Sequence, residues 1–215
     1  MELDEHEQGE LVRKWLRQNG SSLITGIAMG LALVFAWQWW QGKGVRHQEE
    51  AASQYQAFVD AVDAKDAAKA KTFSTLLADK YSDTPYWELA TLRNAAFLQD
   101  TGKTDDAVQL LKSSLPKVKR PDMAEMFSLR LARLLLIAGK PDEAAKQLAT
   151  IANPLFPAIA NELRGDIAAA KGKRDEARKA YQVALTTLDQ AAPTRPLLEL
   201  KLIDAGGQPP AKPEI

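Results

Sequence analysis

Three times the chain repeats one short phrase: "GKTDDA" from Gly102, "GKPDEA" from Gly139 and "GKRDEA" from Gly172. The starts are 37 and 33 residues apart. A period of that length marks a helix–turn–helix unit stacked on copies of itself, because one such unit cannot bury its apolar face alone. Each phrase closes one helical pattern and opens the next. The Gly takes the left-handed turn, and Asp105-Asp106, Asp142-Glu143 or Asp175-Glu176 suits the positive dipole end of the following helix. The Ala then packs where two backbones come close. The recurrence also removes a nucleotide reading of Gly102-Lys103-Thr104. A phosphate-binding loop needs a further Gly where Phe97 stands, inside the helical stretch Glu88 to Gln99, and the other two copies have no hydroxyl residue after the Lys.

The clearest unit is "NELRGDIAAAKGKRDEARKAYQVAL", Asn161 to Leu185. Its Gly165, Ala177, Tyr181 and Ala184 fall at the small, small, aromatic and small positions of the tetratricopeptide pattern. Two looser units place Ala132, Ala144 and Leu148, and Ala95, Ala107 and Leu111, in corresponding positions. Upstream, Glu49 to Ala64 and Ala67 to Tyr81 read as another helical pair, closed by "KYSDTPY", with Asp83 or Thr84 capping the helix after Pro85. The expectation is eight helices in four pairs. After Pro193, a short helix from Leu197 to Ile203 would cover the exposed end of the stack, and the Pro-rich Ala205 to Ile215 reads as a disordered tail.

From Leu23 to Trp40 the chain reads LITGIAMGLALVFAWQWW without a charge, enough for roughly 27 Å of helix. Five acidic residues precede it and Trp37, Trp39 and Trp40 end it where a cleavage site would need small residues, so the segment reads as an uncleaved anchor rather than a signal peptide. Arg13, Lys14 and Arg17 on the N-terminal side outnumber Lys43 and Arg46 on the other, which places the N-terminus in the cytoplasm. Ser22, Gly26 and Gly30 form a small-residue ridge suited to close approach by another membrane helix. Before the anchor, Leu11, Val12, Trp15 and Leu16 form one side of a surface helix that Asn19-Gly20 should stop. The divisions read from this are a cytoplasmic amphipathic segment 1–20, a transmembrane helix 21–41, a repeat domain 42–204 and a tail 205–215. The fold class is all-α: one N-terminal transmembrane helix, then a tetratricopeptide-repeat-like α-solenoid of about four helix pairs.

The repeat register puts Leu92, Ala96, Gln99, Leu129, Arg133, Leu136, Glu162 and Asp166 on the first helices of the pairs, lining the groove where such solenoids hold peptide segments. Each Leu also suits ordinary helix-to-helix core, and the charged members suit solvent. Nucleic acid is not an expected partner, because 28 basic and 28 acidic residues cancel. Cysteine is absent and the two histidines, His6 and His47, flank the anchor, so thiolate or imidazole metal sites and His-based triads are not expected. Glu162 and Asp166 share a helical face, but paired surface carboxylates alone are no catalytic signature. No catalytic residue, cofactor or metal is assigned.

Together, "LRLARLLLIAGKPDEA" (Leu129 to Ala144), "RGDIAAAKGKRDEARKAY" (Arg164 to Tyr181) and the Trp-ended span resemble the YfgM family, ancillary subunits of the bacterial SecYEG translocon. The resemblance implies a single-pass inner-membrane protein with its repeat domain in the periplasm. It implies association with the SecYEG channel and with a PpiD-like membrane-anchored chaperone and isomerase, and help in passing translocating polypeptides to periplasmic chaperones. It also links the cytoplasmic segment to a response regulator of envelope stress. The alternatives are a regulator acting through residues 1 to 20 with the repeats as sensor, or a self-associating scaffold, since solenoid ends and the Gly ridge can both join copies of the chain.

Overall fold

The computed structural model describes residues 3–209. The side chains of Leu11, Trp40 and Lys43, on which parts of the anchor reading fall, and residues 1–2 and 210–215 lie outside the described residues. The chain divides into two compact units, 1–52 and 53–215.

The first unit consists of most of helix α1 (Leu3–Asp63). Its apolar stretch is long enough to cross a bilayer, and no part of it is buried inside the protein. Ile24, Ile27, Met29, Leu33, Phe35, Trp37 and Trp39 point outward around the whole circumference. A helix apolar on every side, with no protein packed against it among the described residues, is a candidate membrane span. The hydroxyl of Thr25 donates back to the Ser21 carbonyl at 2.7 Å, so this polar group needs no water. Asn19-Gly20 does not end the helix, contrary to the sequence expectation. Asn19 Nδ2 instead donates to the Trp15 carbonyl at 3.1 Å within the helix. A mid-helix Gly costs only about 1 kcal/mol, less than opening a helix end beside an apolar run whose peptide groups need partners.

The second unit is a row of antiparallel helix pairs. Residues 53–63 of α1 pair with α2 (Ala67–Lys80), α3 (Pro85–Asp100) with α4 (Thr104–Ser114), α5 (Pro121–Ile137) with α6 (Pro141–Ala149), and α7 (Pro157–Ala170) with α8 (Arg174–Thr187). A short 3-10 turn, Leu115–Lys117, follows α4, and α9 (Arg195–Asp204) lies on α8. The four expected pairs are present, except that the first helix of pair one has no start of its own. It continues from α1 without a break.

Local chemistry explains the ends. Pro occupies the first turn of α3, α5, α6, α7 and α9, where its missing N–H costs nothing. Gly102, Gly139 and Gly172 have φ of 78°, 71° and 72°. At each, the residue after the Gly donates its N–H five residues back, as Lys103 does to Leu98, Lys140 to Leu135 and Lys173 to Ala168. Gly206 repeats the cap at φ 83°, with the Gly207 N–H on the Leu202 carbonyl. Ala205 is buried, so 205–207 fold back on α9 where the expected tail would have begun. In pair one the left-handed position is filled by Lys65 at φ 57°.

Three buried clusters run in chain order. Phe58, Leu77, Trp87 and Phe97 hold pair one to α3. Leu111, Phe127, Leu131, Leu134 and Leu163 join α4 through α7. Tyr181, Leu185, Leu198 and Leu202 seat α9. The Trp87 and Phe127 rings, 6.3 Å apart, link the first two clusters.

Candidate partner-binding surface

The eight residues expected in a partner groove lie on α3, α5 and α7, the first helices of successive pairs, which pack side by side. On α3, Leu92 and Ala96 are half-buried. Gln99 accepts a hydrogen bond from Arg130 of α5 at 3.3 Å. On α5, Leu129 is buried and Leu136 half-buried in the central cluster, as the core reading of the leucines anticipates. Leu129, Arg133 and Glu162 come together on a cavity of about 360 Å³ enclosed by α5, α7 and the segment around Leu188 to Leu198. Exposed Met126 and Ile159 supply apolar wall, and Arg130 adds a second guanidinium. Burial and the neighbouring Arg133 push Arg130 below the ordinary arginine value.

Glu162 and Asp166 have an intramolecular partner that the sequence did not announce. Lys201 of α9 places its Nζ 2.6 Å from Glu162 Oε1 and 2.8 Å from Asp166 Oδ1. Asp166 also accepts from the Tyr181 hydroxyl at 2.9 Å. Burial and the Asp166 carboxylate raise the Tyr181 phenol above its ordinary value. The Tyr181 ring in turn lies against Gly165, where a Cβ would overlap it. The two carboxylates therefore fasten α9 to α7, and the cavity offers a partner chiefly Arg130, Arg133 and the apolar wall.

Sequence reasoning also missed Glu125. It is buried, and its carboxylate accepts the Leu155 and Phe156 N–H groups at 2.7 and 2.9 Å, just before α7. An acid at a helix start matches the dipole there and satisfies donors that the helix leaves open. The available signal was Glu four residues before Leu129 on the same face of α5.

Lysines tie successive pairs together through the acidic residues of the phrases. Lys140 meets Asp105 at 2.8 Å, Lys171 meets Asp142 at 2.7 Å and Lys112 meets Glu143 at 3.0 Å. Each ammonium holds its partner carboxyl below the usual range. Among the described residues no cluster of three His, Asp or Glu is placed to hold a metal ion. In the first unit, a Cβ built on Gly26 or Gly30 would meet nothing within 4 Å.

A family model described as a tetratricopeptide repeat-like domain matches residues 13–207, from before the apolar stretch to the cap of α9. A protein of Escherichia coli (strain K12), called ancillary SecYEG translocon subunit, is 28% identical over 185 residues, 85% of this chain and 87% of its own. One of the same name from Aggregatibacter actinomycetemcomitans is 24% identical over 182 residues, 85% of this chain and 89% of its own. A third, from Neisseria gonorrhoeae, is 35% identical over 113 residues, 53% of this chain and 54% of its own. These matches bear out the resemblance read from Leu129 to Ala144 and Arg164 to Tyr181. No solved structure matches the chain.

Proposed function

The chain belongs to the tetratricopeptide repeat-like domain family, and on that premise we propose that it is a non-catalytic accessory subunit of the bacterial Sec translocon. The observation that carries this is one chain joining a long apolar helix to a row of repeats, matched over 85% of its length by relatives bearing that name. In this reading α1 crosses the inner membrane with its N-terminus in the cytoplasm and carries the repeats into the periplasm. The ridge of Ser22, Gly26 and Gly30 meets a helix of the channel, because small residues allow close van der Waals approach where lipid gives no hydrophobic drive. The cavity beside Leu129, Arg133 and Glu162 receives a segment of a PpiD-like membrane-anchored chaperone, and translocating polypeptides pass from the channel to that chaperone. Two guanidiniums beside an apolar wall suit a mixed segment better than a bare carboxylate terminus.

The test is mass spectrometry of what co-purifies with the full-length protein in mild detergent, compared with a variant whose apolar helix is exchanged for an unrelated one. The expected result is recovery of the Sec channel and a periplasmic chaperone, with the channel lost on exchange. Recovery of neither would overturn the proposal.

A further inference from the structure

The junction between pairs one and two differs from the later ones. There, a groove of about 720 Å³ runs between α2, α3 and α4, away from the cavity on α5 and α7. Its wall includes Trp87, Phe97, Leu98 and Leu110. Around it stand Lys65 from the turn before α2, Lys71 from α2, Lys103 from the turn before α4, and Lys117 from the 3-10 turn. Asp106 is the lone carboxylate among the lining residues. None of the four lysines makes a side-chain ion pair or hydrogen bond among the described residues.

The repeat explains why Lys103 is unpaired. Lys140 reaches back to Asp105, the second residue of α4. Lys103 occupies the matching place one pair earlier, but the second residue of α2 is Ala68. A corresponding groove of about 630 Å³ between α6, α7 and α8 is also lined with lysines. There, Lys171 is bound to Asp142 and Lys173 to Glu176, which leaves one lysine of that groove, Lys179, without such a partner among the described residues. Lys65 adds a second departure. Three matching turns use Gly at positive φ, whereas this one holds a Lys there at φ 57°. A side chain in that region is strained, and strain of this kind is retained where the side chain is used.

We propose that this groove is a docking site for an acidic polypeptide segment with apolar side chains interspersed. The apolar wall takes the anchors, and the lysines meet carboxylates along the segment. Four cations from four separate elements, spread around the groove, suit several charges on an extended ligand better than one phosphate group, which needs convergent donors. The inference rests on the repeats being a binding scaffold, and is independent of which complex the protein joins.

The experiment titrates full-length protein in zwitterionic-lipid nanodiscs against a fluorescent amphipathic peptide of Glu and Leu. Controls are a Lys-and-Leu peptide of the same pattern and a Glu-and-Ser peptide. The Glu-and-Leu peptide should bind best and weaken as salt rises. Lys71→Glu and Lys103→Glu should each weaken it about fivefold. Lys65→Gly should weaken it while leaving the protein at least as heat-stable, so misfolding cannot account for the loss. Equal binding of the Lys-and-Leu peptide, undiminished binding by the Lys→Glu variants, or a preference for anionic vesicles over the peptide would overturn the proposal. Because the readout is a purified binary titration, it can fail while the channel still co-purifies, and the reverse.

Discussion

Glu88 and Glu125 stand 37 residues apart in the same repeat register, yet only one is satisfied. Glu125 accepts two backbone N–H groups, whereas Glu88 is buried with Oε2 lacking a hydrogen-bond partner among the described residues. Burial raises the Glu88 carboxyl above its ordinary value of 4.5, and the Arg120 charge only partly opposes this. A raised folded value means the native state holds a proton that the unfolded chain has released. The Glu88 contribution to stability is therefore present below pH 4.5 and lost as pH rises through the folded value. Glu88→Gln should flatten that dependence and raise the melting temperature at neutral pH, measured by thermal denaturation between about pH 4 and 8. Gly165 sets a steric limit instead: its neighbour Tyr181 is buried and tied to Asp166, so Gly165→Ala should cost about 1–3 kcal/mol in a denaturant titration. Gly165 and Tyr181 were legible in the sequence because their spacing belongs to the repeat. Glu88 was not, since its misfit depends on what the next pair brings near it.

Helix boundaries were legible to the extent that they are local. The glycine caps and the helix start at Pro85 depend on a few adjacent residues, and the structure has them where the sequence puts them. Asn19-Gly20 carried the same local signal and failed, because the peptide groups of a long apolar helix have no better partners than one another. The short helix after Pro193 was also legible, but its anchor was not: Lys201 and Glu162 are 39 residues apart in sequence. Lys201→Met should loosen α9 by about 2 kcal/mol, because it strands two half-buried carboxylates. Adding Glu162→Gln and Asp166→Asn should recover part of the loss in a multiple-mutant cycle. At the junction before α7, Glu125→Gln should cost about 1–3 kcal/mol through the same logic of an unmet donor. For α1, Gly26→Leu with Gly30→Leu should reduce recovery of a membrane partner while leaving far-ultraviolet circular dichroism unchanged, since a Cβ at either position meets nothing in this chain.

The helix pairs of the second unit touch mainly their neighbours, and the three buried clusters follow one another along the chain. Stability in such a row is a sum of local terms, so damage should stay local. Leu202→Ala, opening the last cluster, should speed amide hydrogen exchange in α8 and α9 and leave α2 and α3 nearly unchanged. Uniform acceleration throughout the unit would show one cooperative block instead. The repeated cap has a consequence for ancestry. Glycine turns within the pairs, after α3, α5 and α7, share one hydrogen-bond pattern, so each of these three turns offers the same splice point. A gene encoding such a chain can gain or shed a whole pair by unequal recombination between copies of its phrase without disturbing the reading of the next turn. The exception is the Lys65 turn, whose substitution by glycine would restore the common joint but erase what distinguishes the first copy from the rest.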